Sequence, residues 1–133
     1  MSLVKFLPAW FHAIADYAVG ILLIVVALVD NGSDGAKATG VVVGAVVLLV
    51  SMATRYPLGI VKVLPFTIHS AGDYLAAALL IIAPFALNFA DAEGGMAAFY
   101  VAMGIAVLAV SLITNYQYSP KRQANAQPRT VTA

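Results

Sequence analysis

Four long apolar stretches dominate the chain, at residues 9–29, 38–54, 67–87 and 96–115. Each has about the 17–25 apolar residues that an α-helix needs to cross the hydrocarbon core of a bilayer. Runs rich in Asp, Asn, Ser and Gly separate the first stretch from the second and the third from the fourth, and such runs are typical of tight turns. The pattern predicts four transmembrane helices with short connections.

The composition agrees with this prediction, because 62% of the residues are hydrophobic and only 10% are charged. A soluble domain has about 25% charged residues. Seven basic and six acidic residues nearly balance, so no basic surface for nucleic acid is predicted. The absence of cysteine excludes disulfides, thiolate metal sites and a cysteine nucleophile. No nucleotide-binding, metalloprotease or hydrolase motif occurs, so no enzymatic activity is predicted.

Basic residues predict the direction of the helices, since Lys and Arg near span ends stay on the cytoplasmic side. All but one of them lie on one side of a four-span topology: Lys5, Arg55, Lys62, Lys121, Arg122 and Arg129. Lys37 lies on the other side, where most of the acidic residues also collect. Both termini are therefore predicted to be cytoplasmic, with a transmembrane domain at 1–118 and a flexible polar tail at 119–133.

An internal repeat organises the four spans. Residues 4–17 and 61–74 share the pattern V-K-x-L-P-x3-H-x3-D-Y at an offset of 57. Residues 47–56 and 107–116 share V-L-x-V-S-x2-T-x-Y at an offset of 60. Repeat one (4–56) and repeat two (61–116) each cross the membrane twice, so they have the same topology. The predicted fold class is an all-α, integral membrane four-helix bundle made of two tandem parallel-oriented helical hairpins.

The span-start motif and the sequence A-P-F-A-L-N-F-A-D at residues 83–91 resemble the SPW-repeat family of bacterial integral membrane proteins. The resemblance covers residues 4–116. Ala83-Pro84-Phe85 stands where the family has Ser-Pro-Trp, and the first repeat has no such element at Ala27-Leu28. The resemblance implies this fold and the bacterial inner membrane. It implies no reaction, because the family has no established activity.

Two acidic residues, Asp16 and Asp73, lie inside apolar spans. An ionised carboxylate costs about 2.5–3.5 kcal/mol at the middle of a membrane helix and less near the interface, so a compensating partner is expected. His12 and His69 precede the aspartates by four residues, which places each histidine on the same helix face as its aspartate. The spacing predicts a His–Asp pair in each repeat.

Further polar residues are predicted at the same depth, because spans two and four run back towards the cytoplasm and end there. Tyr17 and Tyr74 follow the aspartates directly, and Arg55 is the natural cationic partner for one aspartate. The second repeat has Asn115 at the position of Arg55. The remaining members of this predicted polar layer are Ser51, Thr54, Tyr56, Ser111, Thr114 and Tyr116.

Three functions fit this polar layer. It could be an interhelical hydrogen-bond network with a structural or partner-binding role. It could bind or carry an ion, a proton or a small ligand at Asp16 and Asp73. It could also hold a b-type haem through His12 and His69, or a metal ion through both histidines and both aspartates. No cofactor is required by the first two functions. Transport through so small a bundle needs an oligomer, so the partners considered are the lipid bilayer, further copies of the chain and another membrane protein.

Small residues recur in the even-numbered spans. Gly40 and Gly44 form a small-xxx-small element, and Gly104 occupies the position of Gly44 in the second repeat. Such residues let helix backbones approach closely. The recurrence predicts that they serve contacts within the bundle.

Overall fold

The computed structural model describes residues 6–114, and these form four helices: α1 (Ala9–Val29), α2 (Asp34–Ala53), α3 (Phe66–Ala86) and α4 (Gly94–Ile113). Each helix is long and apolar enough to cross a membrane. The predicted all-α, four-helix fold class is confirmed. Predictions for Lys5, Asn115, Tyr116 and the tail at 119–133 concern residues outside the described part of the chain.

The helix ends differ from the hydropathy prediction where polar residues start or stop a helix. α2 begins at Asp34 rather than at residue 38, because the Ser33 side chain caps it by accepting from the Ala36 N–H at 3.2 Å. The Asp34 carboxylate in the first turn also stabilises α2, because its negative charge lies at the positive end of the helix dipole. α4 ends at Ile113 rather than at residue 115, because Thr114 adopts an extended conformation.

Helices pack as two hairpins, with α1 against α2 and α3 against α4. Glycine makes these contacts close. A Cβ atom added at Gly44 would lie 2.8 Å from the carbonyl oxygen of Gly20, and one added at Gly104 would lie 2.8 Å from that of Ala77. At Gly40 an added Cβ would lie 2.5 Å from the Ala27 side chain. The predicted internal role of these glycines is confirmed.

The two hairpins enclose an interior with two parts. We call the end of the bundle where α1 and α3 begin the histidine end, because His12 and His69 lie there. The larger part fills the bundle towards the opposite end and is built on Leu23, Ala36, Val43, Leu80, Phe89, Met96 and Tyr100. The smaller part closes the histidine end and consists of Ala9, Ala13, Tyr56 and Phe66.

Backbone bridges at the histidine end repeat the internal symmetry. Thr54, after α2, pairs with Leu64 in a parallel bridge just before α3. Thr114, after α4, pairs in the same way with Leu7 just before α1. The second bridge joins the two ends of the described chain, so equivalent positions of the two repeats make equivalent backbone contacts.

Candidate functional site

Four buried side chains meet in the centre of the bundle near the histidine end. His12 and Asp16 come from α1, and His69 and Asp73 from α3; between 1% and 7% of each residue is exposed. One donor atom from each residue lies within 4.8 Å of the donor atoms of the other three. We call these four residues the His–Asp cluster. The two repeats place these residues at the same depth in the bundle.

Contacts within the cluster run both along each helix and across the repeats. Nε2 of His12 lies 3.3 Å from Oδ1 of Asp16 and 3.0 Å from Oδ2 of Asp73. Nε2 of His69 lies 3.1 Å from Oδ2 of Asp16 and 2.9 Å from Oδ1 of Asp73. All four carboxylate oxygens are used, one for each contact. The two imidazoles and two carboxylates therefore form a closed ring that joins α1 to α3.

Nε2 of His69 lies near both carboxylates. This atom is buried and lies within 3.1 Å of two carboxylate oxygens, yet it has no hydrogen-bond partner among the described residues. Because hydrogen bonds weaken steeply away from linearity, distance alone does not make one. Nε2 of His69 therefore lies close to both carboxylates at once.

The opposite side of each imidazole ring faces a threonine. Nδ1 of His69 lies 2.7 Å from Oγ1 of Thr54, and Nδ1 of His12 lies 2.7 Å from Oγ1 of Thr114. Each threonine hydroxyl donates to the carbonyl oxygen four residues earlier in its own helix, at 2.6 Å. Both threonines are fully buried. Threonines at the ends of α2 and α4 thus contact the Nδ1 atoms of the two imidazole rings.

Aromatic side chains cover the cluster at the histidine end. Tyr56 is fully buried and its hydroxyl donates to Oδ2 of Asp16 at 3.1 Å. Burial, and then the negative charge of Asp16, raise the pKa of the Tyr56 phenol, so this hydroxyl stays protonated and donates. Phe66 packs edge-on against His12, with ring centroids 5.3 Å apart. The repeat could not identify Phe66, because Ala9 occupies its place in α1.

Arg55 does not take its predicted place beside an aspartate. It is exposed, and its Nε donates to the backbone carbonyl of Lys62 at 3.1 Å. The backbone turns at Thr54, which directs the next side chain away from the bundle axis. The histidine of the other repeat contacts the aspartate instead.

The remaining predicted residues lie around the cluster. Ser51 and Ser111 are fully buried near the ends of α2 and α4. Tyr17 and Tyr74 are half-buried, and the Tyr17 hydroxyl donates to the carbonyl of Leu58 at 2.8 Å. Neither tyrosine belongs to the four histidine–aspartate contacts of the cluster. The predicted layer therefore separates into an inner cluster, two threonines behind it and a polar surround.

Small cavities flank the cluster on two sides. One lies beside His12 and Asp16, and another beside His69 and Asp73. Each has a volume of about 40 Å³ and mostly apolar walls. That volume suits a molecule about the size of water.

No protein-family model, curated protein or solved structure matches the chain. The resemblance to the SPW-repeat family stays a prediction from the sequence motifs.

Proposed function

We propose that this chain is a membrane protein that binds a divalent first-row transition-metal ion in the His–Asp cluster. One observation carries the proposal. Two histidines and two aspartates, all buried, each offer one ligand atom in the centre of the bundle, and these four atoms lie within 4.8 Å of one another.

The spacing of the donor atoms supports an ion. The four nitrogen–oxygen distances across the cluster are 3.3, 3.0, 3.1 and 2.9 Å. Ligands bound to one ion at about 2.0–2.2 Å lie roughly 3 Å from their neighbours, so little movement is needed to accommodate it. Two imidazoles with two carboxylates suit Zn²⁺, Mn²⁺ or Fe²⁺ better than the soft Cu⁺ or the oxygen-seeking Ca²⁺.

The charge of the cluster suits a divalent ion. Two ionised aspartates are costly in an apolar bundle unless positive charge compensates them. A divalent ion between two carboxylates and two neutral imidazoles forms a unit without net charge. The proposed metal also ties repeat one to repeat two, because each repeat supplies one histidine and one aspartate.

A b-type haem fits this arrangement less well. The imidazole rings of His12 and His69 have centroids 5.6 Å apart, and both carboxylates fill the space around Nε2 of each ring. A porphyrin between the rings would have to displace both aspartates. The flanking cavities of about 40 Å³ give it no room at either side.

The ion is proposed to be resident rather than transported. Beyond the cluster, fully buried Leu23 and Leu80 belong to the apolar interior that continues towards the opposite end. Apolar side chains such as these are poor ligands for an ion in transit. A transported ion or proton would need a path formed by several copies of the chain.

The membrane is proposed to be the bacterial inner membrane, with the histidine end at the cytoplasmic face. The distribution of Lys and Arg supports this orientation, and the resemblance to the SPW-repeat family supports the location. The cluster would then lie just inside the cytoplasmic boundary of the bilayer.

Metal content tests the proposal. The wild-type chain is purified in detergent, stripped with a chelator, reloaded with Zn²⁺ or Mn²⁺ and desalted before elemental analysis. We expect about one ion per chain. The double variant Asp16→Asn/Asp73→Asn should retain less than about a tenth of that, because losing both anionic ligands weakens binding by more than the roughly 10–100-fold seen for outer-shell partners.

Asp91→Asn is the matched control, since Asp91 is an exposed carboxylate in the connection between α3 and α4. It should bind metal like the wild type. A wild-type chain without bound metal would refute the proposal and favour a hydrogen-bond network with a structural role. Equal metal content in all three proteins would place the ion elsewhere.

A further inference from the structure

We infer that Thr54 and Thr114 are positioning residues of the metal centre, which fix the tautomer of the two histidines and aim their Nε2 atoms at the ion. This inference rests on the proposed metal site. It concerns two residues that the proposed ion would not touch.

The hydroxyl proton of Thr54 determines which nitrogen of His69 is protonated. A threonine hydroxyl has one proton to donate and can accept through its lone pairs. The hydroxyl proton of Thr54 goes to the carbonyl oxygen of Val50, 2.6 Å away. Towards Nδ1 of His69, at 2.7 Å, the same oxygen must therefore accept. Nδ1 of His69 carries a proton.

The second repeat gives the same result independently. The hydroxyl of Thr114 donates to the carbonyl oxygen of Val110 at 2.6 Å and faces Nδ1 of His12 at 2.7 Å. Nδ1 of His12 must then donate. In the neutral ring the proton on Nδ1 leaves the Nε2 lone pair available, and Nε2 is the atom that faces the carboxylates in both repeats.

Backbone contacts hold each threonine in register with its histidine. Thr54 is bridged to Leu64, five residues before His69, and Thr114 is bridged to Leu7, five residues before His12. Thus the segment that starts each histidine-bearing helix is paired with the threonine that holds its ring. Metal-binding histidines commonly have such an outer partner on their second nitrogen.

Valine and serine variants test the inference. Thr→Val removes the hydroxyl and keeps the shape, whereas Thr→Ser keeps the hydroxyl. Binding is measured with Co²⁺, whose visible absorption reports the ligand geometry, against a competing chelator. We expect Thr54→Val and Thr114→Val each to weaken Co²⁺ binding by about 10–100-fold and to alter the spectrum, and the serine variants to restore both.

Thr39→Val is the matched control. Thr39 is also buried and also donates to the carbonyl four residues earlier, at 2.8 Å from Gly35 O, but it lies near the opposite end of α2. It should bind Co²⁺ like the wild type. If the Thr54 and Thr114 variants behave like Thr39→Val while the wild type binds metal, the inference is wrong and the metal site stands. A wild-type chain that binds no metal would refute both the inference and the proposed metal site.

Imidazole ¹⁵N NMR of the Zn²⁺-loaded wild type answers the same question when a valine variant does not fold. The expected spectrum has protonated Nδ1 and metal-bound Nε2 in both histidines. Metal on Nδ1 of either ring, or two rings in different tautomers, would overturn the inference.

Discussion

Each aspartate of the His–Asp cluster contacts a histidine from its own helix and one from the other repeat. At the scale of residues, this arrangement puts a histidine nitrogen within 3.3 Å of every carboxylate oxygen while all four side chains are buried. Neither repeat does so alone, because each histidine contacts only one oxygen of the aspartate on its own helix. The full set of histidine–aspartate contacts therefore needs both copies of the H-x3-D motif.

The sequence was enough to predict the pairs within each helix, since a spacing of four residues puts His12 beside Asp16. Contacts across the repeats could not be predicted, because equal depth does not say which helix faces turn towards each other. Arg55 shows the same limitation. Its depth suited an aspartate, but the backbone turn at Thr54 directs it away. The sequence placed Thr54 and Thr114 in the polar layer, while their contacts with the histidine rings needed atomic positions.

At the scale of elements, the hairpins depend on glycine where helices cross. The lengths and order of the helices followed from hydropathy, because a bilayer requires long apolar segments. Hydropathy missed the polar first turn of α2 at Ser33 and Asp34. A capping side chain stabilises the start of a helix, but its polarity lowers the hydropathy of the span. Close helix contacts were predicted from recurring small residues, yet the sequence alone did not single out Gly20.

Substituting Gly44 by alanine should loosen the first hairpin. The added Cβ would lie 2.8 Å from the Gly20 carbonyl oxygen and 2.8 Å from Cγ1 of Ile24, so α1 and α2 must separate slightly. We expect a loss of about 1–3 kcal/mol in the free energy of unfolding, measured by denaturant titration in detergent micelles.

Gly72→Ala is the control for this change, because nothing lies within 4 Å of an added Cβ there. It should leave stability unchanged or raise it by about 0.5–1 kcal/mol, as expected for alanine in a helix interior. Equal stability of the two variants would show that the α1–α2 contact is looser than described.

At the scale of the whole molecule, the Thr114–Leu7 bridge joins the two ends of the described chain. The orientation of the bundle in the membrane can be tested with single cysteines, since the chain has none. Asn31→Cys places a thiol at the exposed connection between α1 and α2, and Ile60→Cys places one in the exposed connection between α2 and α3.

A membrane-impermeant maleimide should label Asn31→Cys in intact cells and Ile60→Cys only after permeabilisation, because basic residues are retained in the cytoplasm. Labelling of Ile60→Cys from outside would reverse the proposed orientation. The metal site itself does not depend on that result.

X-ray absorption at the metal edge of the Zn²⁺-loaded wild-type chain tests the central claim most directly. The proposed centre predicts nitrogen and oxygen ligands at about 2.0–2.2 Å, with the multiple scattering of two imidazole rings and no sulfur. A shell of oxygen alone, one imidazole only, or no stoichiometric zinc would contradict it.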